Sequence, residues 1–98
     1  MNFDQVFEVF QQQGHKVPTI GKTLKLVLDE GTIFVDMSGE TTQVSKEDKD
    51  ADCTITTTAS ILQGLREGTV NPMTAVMTGK IKVKGDMSIA LKLQSLIS

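Results

Sequence analysis

The first region of the chain has the residue spacing of an amphipathic helix. Phe3, Val6, Phe7 and Phe10 stand at positions i, i+3, i+4 and i+7, so they lie on one helical face. The asparagine directly before Phe3 is a residue type that caps helix starts, and Gly14 can end the helix. The pattern therefore predicts a first helix with one apolar face for packing.

The next region alternates apolar and polar positions, as strands do. Leu24, Leu26 and Leu28 occupy every second position, which predicts a first strand. Gly31 lies in a turn before the next apolar run, so we expect the first two strands to form an antiparallel hairpin. The second, third and fourth strands are predicted over residues 32–38, 41–45 and 53–58.

The last third of the chain combines three short helical patterns with one strand. Asparagine followed by proline is a helix start, because proline has no N–H to leave unpaired in the first turn. Alternation of lysine with isoleucine and valine indicates a strand with one apolar and one charged face. The predicted elements are a helix around Ile61, Leu62 and Leu65 that ends at Gly68, a helix that begins at Asn71 and Pro72 and ends at Gly79, a strand over residues 80–84, and a helix over residues 87–97 capped by Asp86.

This order of elements indicates an α+β fold whose sheet has helices over one face. Composition agrees, since 39% apolar and 22% charged residues are typical of one soluble globular domain, here residues 1–98. The formal net charge of −2 lacks the basic excess of nucleic-acid-binding domains. The single Cys53 cannot form an internal disulfide, and we interpret the charged residues 46–52 as a solvated turn.

Two partial motifs lack residues that their chemistry needs. Residues 21–23 read Gly-Lys-Thr, like the end of a phosphate-binding loop, but Lys16 stands where the first glycine is required. The aspartates in residues 48–52 have the spacing of a calcium loop, but Cys53 stands at its obligatory glycine. We therefore expect neither a phosphate-binding loop nor a metal site.

Catalytic constellations are also missing from the pattern. There is no Gly-x-Ser-x-Gly nucleophile elbow, and the acidic residues cluster in turns. His15 is the only histidine, and Cys53 is the only thiol. A buried, inert cysteine is commoner than a nucleophilic one, so we expect a protein that is not an enzyme.

The final predicted helix is more apolar than a helix that covers one surface. A covering helix has an apolar stripe somewhat wider than about 100°. The broader surface here indicates that two sides are buried, one on the sheet and the other on a partner, a membrane or a ligand. The stripe contains Ile89, Leu93, Leu96 and Ile97, extended by Met87, Ala90 and Leu91. Met73, Met77 and Met87 fit either an aliphatic core or a surface that adapts to apolar ligands.

Motifs in this same region resemble a known family. The sequence has Leu-Arg-Glu-Gly-Thr-Val-Asn-Pro at residues 65–72 and Ala-Val-Met-Thr-Gly-Lys-Ile-Lys-Val-Lys-Gly-Asp-Met at 75–87. Ala-Leu-Lys-Leu follows at 90–93. This ordered set resembles the sterol carrier protein type 2 family, and the matching block spans residues 59–96. The N-terminal half agrees in the order of its elements.

The resemblance implies a five-stranded, mostly antiparallel sheet with helices on one face, which enclose an apolar cavity. Members of the family bind fatty acids, fatty acyl-CoA, phospholipids and sterols and need no cofactor. We take about 300 Å³, the small end of the usual range for ligand pockets, as the expected cavity volume. The chain is shorter than many members and lacks a peroxisomal Ser-Lys-Leu terminus, which favours a stand-alone prokaryotic lipid binder.

The expected lipid-binding residues lie on the last three predicted helices. Gln94 follows Lys92 and Leu93 as it does in the family, and is a candidate hydrogen-bond partner for a lipid headgroup. The candidate binding residues are Ile61, Leu62, Leu65, Met73, Val76, Met77, Met87, Ala90, Leu91 and Gln94. Lys80, Lys82 and Lys84 are candidates for transient contact with anionic membranes, or they keep an uncovered sheet face soluble.

A second class of function stays open at this point. The apolar C-terminal helix is also suited to a protein-interaction or accessory module for a lipid-metabolism enzyme. We expect a monomer, with a dimer through this helix as the alternative. No basic and apolar leader is visible at the N-terminus, so we expect a cytoplasmic location.

Overall fold

The computed structural model describes residues 2–97 and, within that range, the side chains of all residues except 94, 95 and 97. Helices and strands follow one another in the predicted order. They are α1 (Phe3–Gly14), β1 (Lys22–Val27), β2 (Thr32–Met37), β3 (Gln43–Ser45), β4 (Cys53–Thr56), α2 (Ala59–Glu67), α3 (Pro72–Met77), β5 (Lys82–Gly85), α4 (Met87–Ala90) and α5 (Lys92–Ile97).

The five strands form one sheet in the order β3-β2-β1-β4-β5. All neighbouring strands are antiparallel except β1 and β4, which are parallel. Leu24 pairs with Val35 on one side and Cys53 on the other, so these three buried side chains share the sheet face that packs on the helices. The predicted α+β fold, with a mostly antiparallel five-stranded sheet and helices on one face, is confirmed.

The charged segment of residues 46–52 covers the other face of the sheet. The chain must cross β2 and β1 here, because β3 and β4 lie on opposite sides of that pair. Lys25 Nζ on β1 lies 3.2 Å from Asp48 Oδ1, and Lys49 Nζ lies 5.6 Å from the centroid of the Phe34 ring. Most of the segment is exposed, as predicted, but it also leaves Phe34 only 6% exposed. The prediction of a simple solvated turn missed this packing role.

Side-chain caps fix where the helices begin. Asn2 and Gln5 form a capping box, in which each side-chain oxygen accepts a hydrogen bond from the other residue's backbone N–H at 2.9 Å. The Asp86 carboxylate accepts the Ser88 backbone N–H at 2.9 Å and starts α4. The helix starts predicted at Asn2, Asn71 and Asp86 are therefore confirmed.

The last strand begins two residues later than predicted. The lysine alternation predicts a strand from Lys80, whereas β5 begins at Lys82. The backbone N–H groups of Lys80 and Ile81 both donate to the Ala75 carbonyl and close the end of α3. These groups therefore belong to the helix terminus rather than to the sheet.

The last helix is divided at Leu91, and the prediction of one continuous helix over residues 87–97 is wrong. α4 contacts β1, β4 and β5, whereas α5 contacts α1 and α2. Ile89 is buried in the first half, and Leu93 and Leu96 are buried in the second. The helical hydrogen bonding is interrupted at Leu91, whose backbone N–H donates to the Ile89 carbonyl, and the two halves pack on different elements. The wide apolar stripe thus serves two packing layers within the chain, while Met87 and Leu91 stay exposed.

Candidate functional site

An apolar cleft lies at the β5 end of the sheet, between that edge and the helices that follow β4. Its volume is about 120 Å³. Every described wall residue is apolar, and together they come from β4, from β5 and its preceding residue, from helices α2 to α5, and from the residue between α4 and α5. The wall consists of Ile55, Leu65, Pro72, Val76, Ile81, Val83, Met87, Ala90, Leu91 and Leu93.

Exposure rises from the floor of this cleft to its mouth. Ile55, Ile81 and Leu93 are nearly inaccessible to solvent, at 1%, 4% and 6% exposure. Val76 and Leu91 also line the cleft but are 40% and 76% exposed. The cleft is thus closed at the sheet and open between α3 and α4.

The mouth continues into a group of exposed apolar side chains, here called the apolar rim. It consists of Met73, Val76 and Met77 on α3, Met87 on α4, and Leu91 after α4. Met73, Val76 and Met77 stand at i, i+3 and i+4 and therefore share one side of α3. Met73 and Met77 are 72% and 81% exposed. These five are the large apolar residues that are exposed in the described part of the chain.

Backbone and side-chain hydrogen bonds hold α3 in place beside β5. Asn71 Oδ1 accepts the N–H groups of Met73 and Thr74 at 2.9 and 3.2 Å, which fixes the start of α3. Thr57 Oγ1, after β4, donates to the Lys80 carbonyl at 2.9 Å. Both ends of the α3 segment are therefore anchored, and one wall of the cleft is preformed.

The chemistry of the wall suits a hydrocarbon and offers nothing for acid–base or nucleophilic steps. Burial of apolar surface contributes roughly 25 cal/mol per Å², and no side chain among the described wall residues is titratable. Among the residues that the structure describes, no group of three His, Cys, Asp or Glu side chains could hold a metal ion.

The single cysteine is a core residue of β4. Cys53 is fully buried, and burial raises the pKa of its thiol, with a smaller contribution from the negative charge of Asp86. A raised pKa keeps the thiol protonated near neutral pH, where the nucleophile would be the thiolate. His15 lies exposed at the end of α1. The geometry agrees with a structural cysteine.

The residues predicted to bind ligand take up three kinds of position. Ile61 is half-buried against the core, and Leu62 is fully buried within it. Met73 and Met77 lie on the apolar rim, outside the cleft wall. The side chain of Gln94 lies outside the described residues. The cleft wall itself contains Leu65, Val76, Met87, Ala90 and Leu91.

Five wall residues were missed by the sequence reasoning. The alternation of Ile81 and Val83 signals an apolar strand face, which could have been assigned to the site because that strand leads into α4. Ile55 carries no such signal, because the pairing of β4 with β5 follows from the sheet topology and not from local spacing. The missed residues are Ile55, Pro72, Ile81, Val83 and Leu93.

A larger and more open groove, of about 670 Å³, lies between α1 and α2. Its sides are mostly polar or charged, including Glu8, Gln12, Arg66 and Glu67. A groove of this composition remains hydrated and does not favour an apolar ligand. The smaller cleft beside β5 is therefore the candidate site.

In the described part of the chain, no helix is both long and apolar enough to cross a membrane.

The fold and the cleft together define an α+β protein with an apolar cleft between its sheet and its helices. Comparison with protein families gives a match to the SCP-2 sterol transfer family over residues 3–98. The chain belongs to this family, and the resemblance seen in the sequence is confirmed.

Two relatives and one solved structure show how far the similarity extends. Sterol carrier protein 2 from Bos taurus is 46% identical over 68 residues, which cover 68% of this chain and 12% of that protein. Sterol carrier protein 2 from Gallus gallus is 35% identical over 102 residues, which cover 96% of this chain and 19% of that protein. This chain thus spans less than a fifth of the length of either relative. The solution structure of palmitated SCP2L2 from Aedes aegypti has the same fold, with a TM-score of 0.71 at 20% identity, covering 99% of this chain and 95% of that one.

Proposed function

We propose that this protein is a lipid carrier, which holds the apolar chain of one lipid in the cleft without converting it chemically. The observation that carries the proposal is a cleft whose described wall residues are all apolar and which opens directly onto the exposed apolar rim. Family membership and the names of the relatives support it. Fatty acids, fatty acyl-CoA, phospholipids and sterols are the ligand classes to test.

The cleft must widen when a lipid enters. Its volume of 120 Å³ is well below the expected cavity volume of about 300 Å³, so the expected volume is too large for this structure. At roughly 24 cal/mol per Å³, an empty cavity of 120 Å³ costs about 3 kcal/mol, against about 7 kcal/mol for 300 Å³. A domain with about 5–15 kcal/mol of stability tolerates the smaller cost more easily.

The movable wall is the α4 side of the cleft. α3 is anchored at both ends, whereas Met87 and Leu91 on the opposite side are 57% and 76% exposed. We expect the interruption at Leu91 to let α4 shift while α5 stays packed on α1. We expect ligand binding to order this segment and to raise the melting temperature, because the ligand binds the folded state.

Two matched variants of α2 test the site. Leu65 and Ile61 are both half-buried and lie one helical turn apart, but only Leu65 lines the cleft. Leu65→Gln places an amide in the apolar wall and should weaken binding of dansyl-undecanoate about tenfold, a loss of about 1.4 kcal/mol. Ile61→Gln should leave the affinity for this fluorescent fatty acid unchanged.

Displacement of the probe by palmitate, palmitoyl-CoA or cholesterol then identifies the ligand class. Native mass spectrometry of gently purified protein provides an independent measurement, since a bound lipid adds its own mass. Absence of probe binding by the unaltered protein would contradict the proposal. Equal losses of probe affinity in the Leu65→Gln and Ile61→Gln variants would show that the ligand does not bind in the cleft.

A further inference from the structure

We propose that the outer edge of β5 is a docking surface for a partner peptide, which adds an extended, acidic strand to the sheet. Among the described residues, β5 is the last strand of the sheet and has a neighbouring strand on one side only. Strand addition gains affinity from backbone hydrogen bonds and specificity from alternate side chains. The inference does not depend on the proposed lipid cleft, because it uses the edge of the sheet and not the space beneath the helices.

The register of β5 shows which of its backbone groups face β4. The Asp86 N–H, one residue beyond β5, donates to the Asp52 carbonyl at 3.2 Å. Hydrogen-bonded pairs alternate along an antiparallel ladder, so the backbone groups of Lys82 and Lys84 also face β4. The Thr57 N–H, directly after β4, donates to a β1 carbonyl. This agrees with the assignment, because odd and even residues of one strand bond to opposite neighbours.

Val83 and Gly85 consequently direct their backbone N–H groups away from the sheet. Ile81 has the same orientation, and its N–H donates to the Ala75 carbonyl at 3.1 Å, where the end of α3 closes the edge. Beyond that point, no hydrogen bond joins the outward groups of Val83 and Gly85 to another residue that the structure describes. An edge of this kind is a template for a further strand.

The side chains of β5 determine the chemistry of the strand that fits there. Val83 lines the cleft, whereas Lys82 and Lys84 are exposed on the opposite sheet face. Neither lysine forms an ion pair with a described residue. Opposite charges on directly paired residues of neighbouring strands attract each other. The matching strand therefore carries acidic residues at alternate positions, with apolar residues between them on the same side as Val83.

The acidic segment of residues 46–52 does not neutralise these lysines. It crosses β2 and β1, where Asp48 pairs with Lys25 at 3.2 Å. The Asp52 carboxylate accepts the Thr23 backbone N–H at 2.9 Å, so it is held toward β1. β4 lies between β1 and β5. Asp48 and Asp52 are thus both held on β1, two strands away from the lysines of β5.

A second copy of this chain fits the edge less well than an acidic peptide. Two β5 strands that pair antiparallel about a two-fold axis would place the lysines of both copies on one face of the joined sheet. Like charges directly opposite each other destabilise a strand pair. The charges of β5 therefore favour an acidic peptide as the occupant.

Fluorescence anisotropy with labelled synthetic peptides tests the docking. A peptide with the core Glu-Val-Glu-Val-Glu should bind the unaltered protein. A peptide with the core Glu-Glu-Glu-Val-Val should bind about tenfold more weakly, because it has the same charge but lacks the alternation. Equal binding of the two peptides, or no binding of the first, would overturn the proposal.

A proline substitution tests the backbone of the edge. Proline is tolerated in an edge strand where the N–H faces solvent, so Val83→Pro removes the outward N–H while circular dichroism checks that the fold is kept. This variant should bind the alternating peptide about tenfold more weakly, because one ladder hydrogen bond and the fit beside it are lost. Val83→Ala shortens the same side chain but keeps the N–H, and it should retain most of the binding. Equal binding by the folded proline variant would contradict strand addition.

An exchange of charge tests the same edge without altering the backbone. Lys82→Glu with Lys84→Glu should lose the acidic peptide and gain a peptide with the core Lys-Val-Lys-Val-Lys. The control is Lys16→Glu with Lys46→Glu, which makes the same change of net charge at two exposed positions elsewhere. The control should keep the preference of the unaltered protein. The same reversal in both double variants would overturn the proposal, since net charge alone would then explain it.

Amide hydrogen exchange locates the added strand. In the free protein, the N–H of Lys84 should exchange slowly and those of Val83 and Gly85 quickly. Bound alternating peptide should slow the exchange of Val83 and Gly85, and unchanged exchange at both would overturn the proposal. So would a dimer in sedimentation velocity that Val83→Pro abolishes, because the occupant would then be a second copy. Peptide binding without dansyl-undecanoate binding would contradict the lipid cleft alone.

Discussion

The two ends of the sheet use apolar residues in opposite ways. In the core beneath α1, Val6, Phe10 and Leu24 are at most 1% exposed. Beside β5, Met87 and Leu91 have comparable hydrophobicity but are 57% and 76% exposed, and the space behind them is empty. The first region is close-packed and defines the fold. The second is under-filled and leaves room for a molecule that is not part of the chain.

The difference shows that apolar character alone does not make a core. Three of the four phenylalanines lie on α1, where Phe3 and Phe10 are buried against the sheet. The cleft wall has none and consists of aliphatic side chains, Met87 and Pro72. An apolar surface without enough side-chain volume to fill it leaves a cleft.

The largest expected effect on stability comes from a substitution in the close-packed core beneath α1. Phe10→Ala removes a fully buried ring and should lower the free energy of unfolding by about 3–5 kcal/mol. Leu91→Ala removes an exposed side chain and should change it by no more than about 0.5 kcal/mol. Urea denaturation measures both. Similar losses for the two variants would abolish the contrast between the two ends.

Filling the cleft should make the β5 end of the sheet as closely packed as the core beneath α1. Ala90→Leu adds methylene groups to the wall, each contributing about 0.8 kcal/mol when buried. A net gain of about 1 kcal/mol would raise the melting temperature by about 4–8 °C, while the affinity for dansyl-undecanoate falls. Ala51→Leu, in the loop over the opposite sheet face, is the control. A lower melting temperature for the cleft variant would show that no space is available there.

The buried thiol of Cys53 should give the sheet a measurable pH dependence. Because its pKa is raised in the folded protein, the unfolded chain loses the thiol proton first as the pH rises. The stabilisation is therefore present below the ordinary thiol pKa of 9.0 and is lost above it. Denaturation at pH 7 and pH 10, compared with Cys53→Ala, should show a steeper loss in the unaltered protein.

The smallest expected effect is at the start of α4, which carries part of the rim. Hydrogen bonds from the Ser88 side chain and backbone lower the pKa of Asp86 below its ordinary 3.8. A lowered carboxylate pKa stabilises the folded protein. This stabilisation is fully present above the ordinary pKa of 3.8 and is lost as the pH falls through the lower pKa of the folded protein. Asp86→Asn keeps a capping side chain without the charge, so its stability should depend less on pH in this acidic range. An identical dependence of stability on acidic pH in the unaltered protein and in Asp86→Asn would contradict a stabilising role for the Asp86 charge.

Local signals predicted the local parts of the structure. The i, i+3, i+4 spacing gave α1, the turn at Gly31 gave the β1–β2 hairpin, and Asn71 with Pro72 gave the start of α3. These features depend on residues close together in the chain. Motif resemblance also pointed to the correct half of the molecule for the cleft.

Features that depend on distant residues could not be predicted in this way. The parallel pairing of β1 with β4 brings Leu26 beside Ile55, which no local spacing indicates. The same pairing forces residues 46–52 across the sheet, and it places Ile55 on the floor of the cleft. The separate packing of α4 on the sheet and of α5 on α1 depends on the relative position of those elements, which is a property of the assembled fold.

The methionines of the apolar rim have a consequence for oxidative chemistry. A peroxide transfers one oxygen atom to the methionine thioether, which becomes a polar sulfoxide while the peroxide is reduced. Met73 and Met77 are 72% and 81% exposed, whereas Met37 on β2 is fully buried and protected. Mild peroxide treatment should therefore oxidise the rim while the core stays intact. The protein would remain folded but present a polar surface, and reduction of the sulfoxides by a methionine sulfoxide reductase would restore the apolar one.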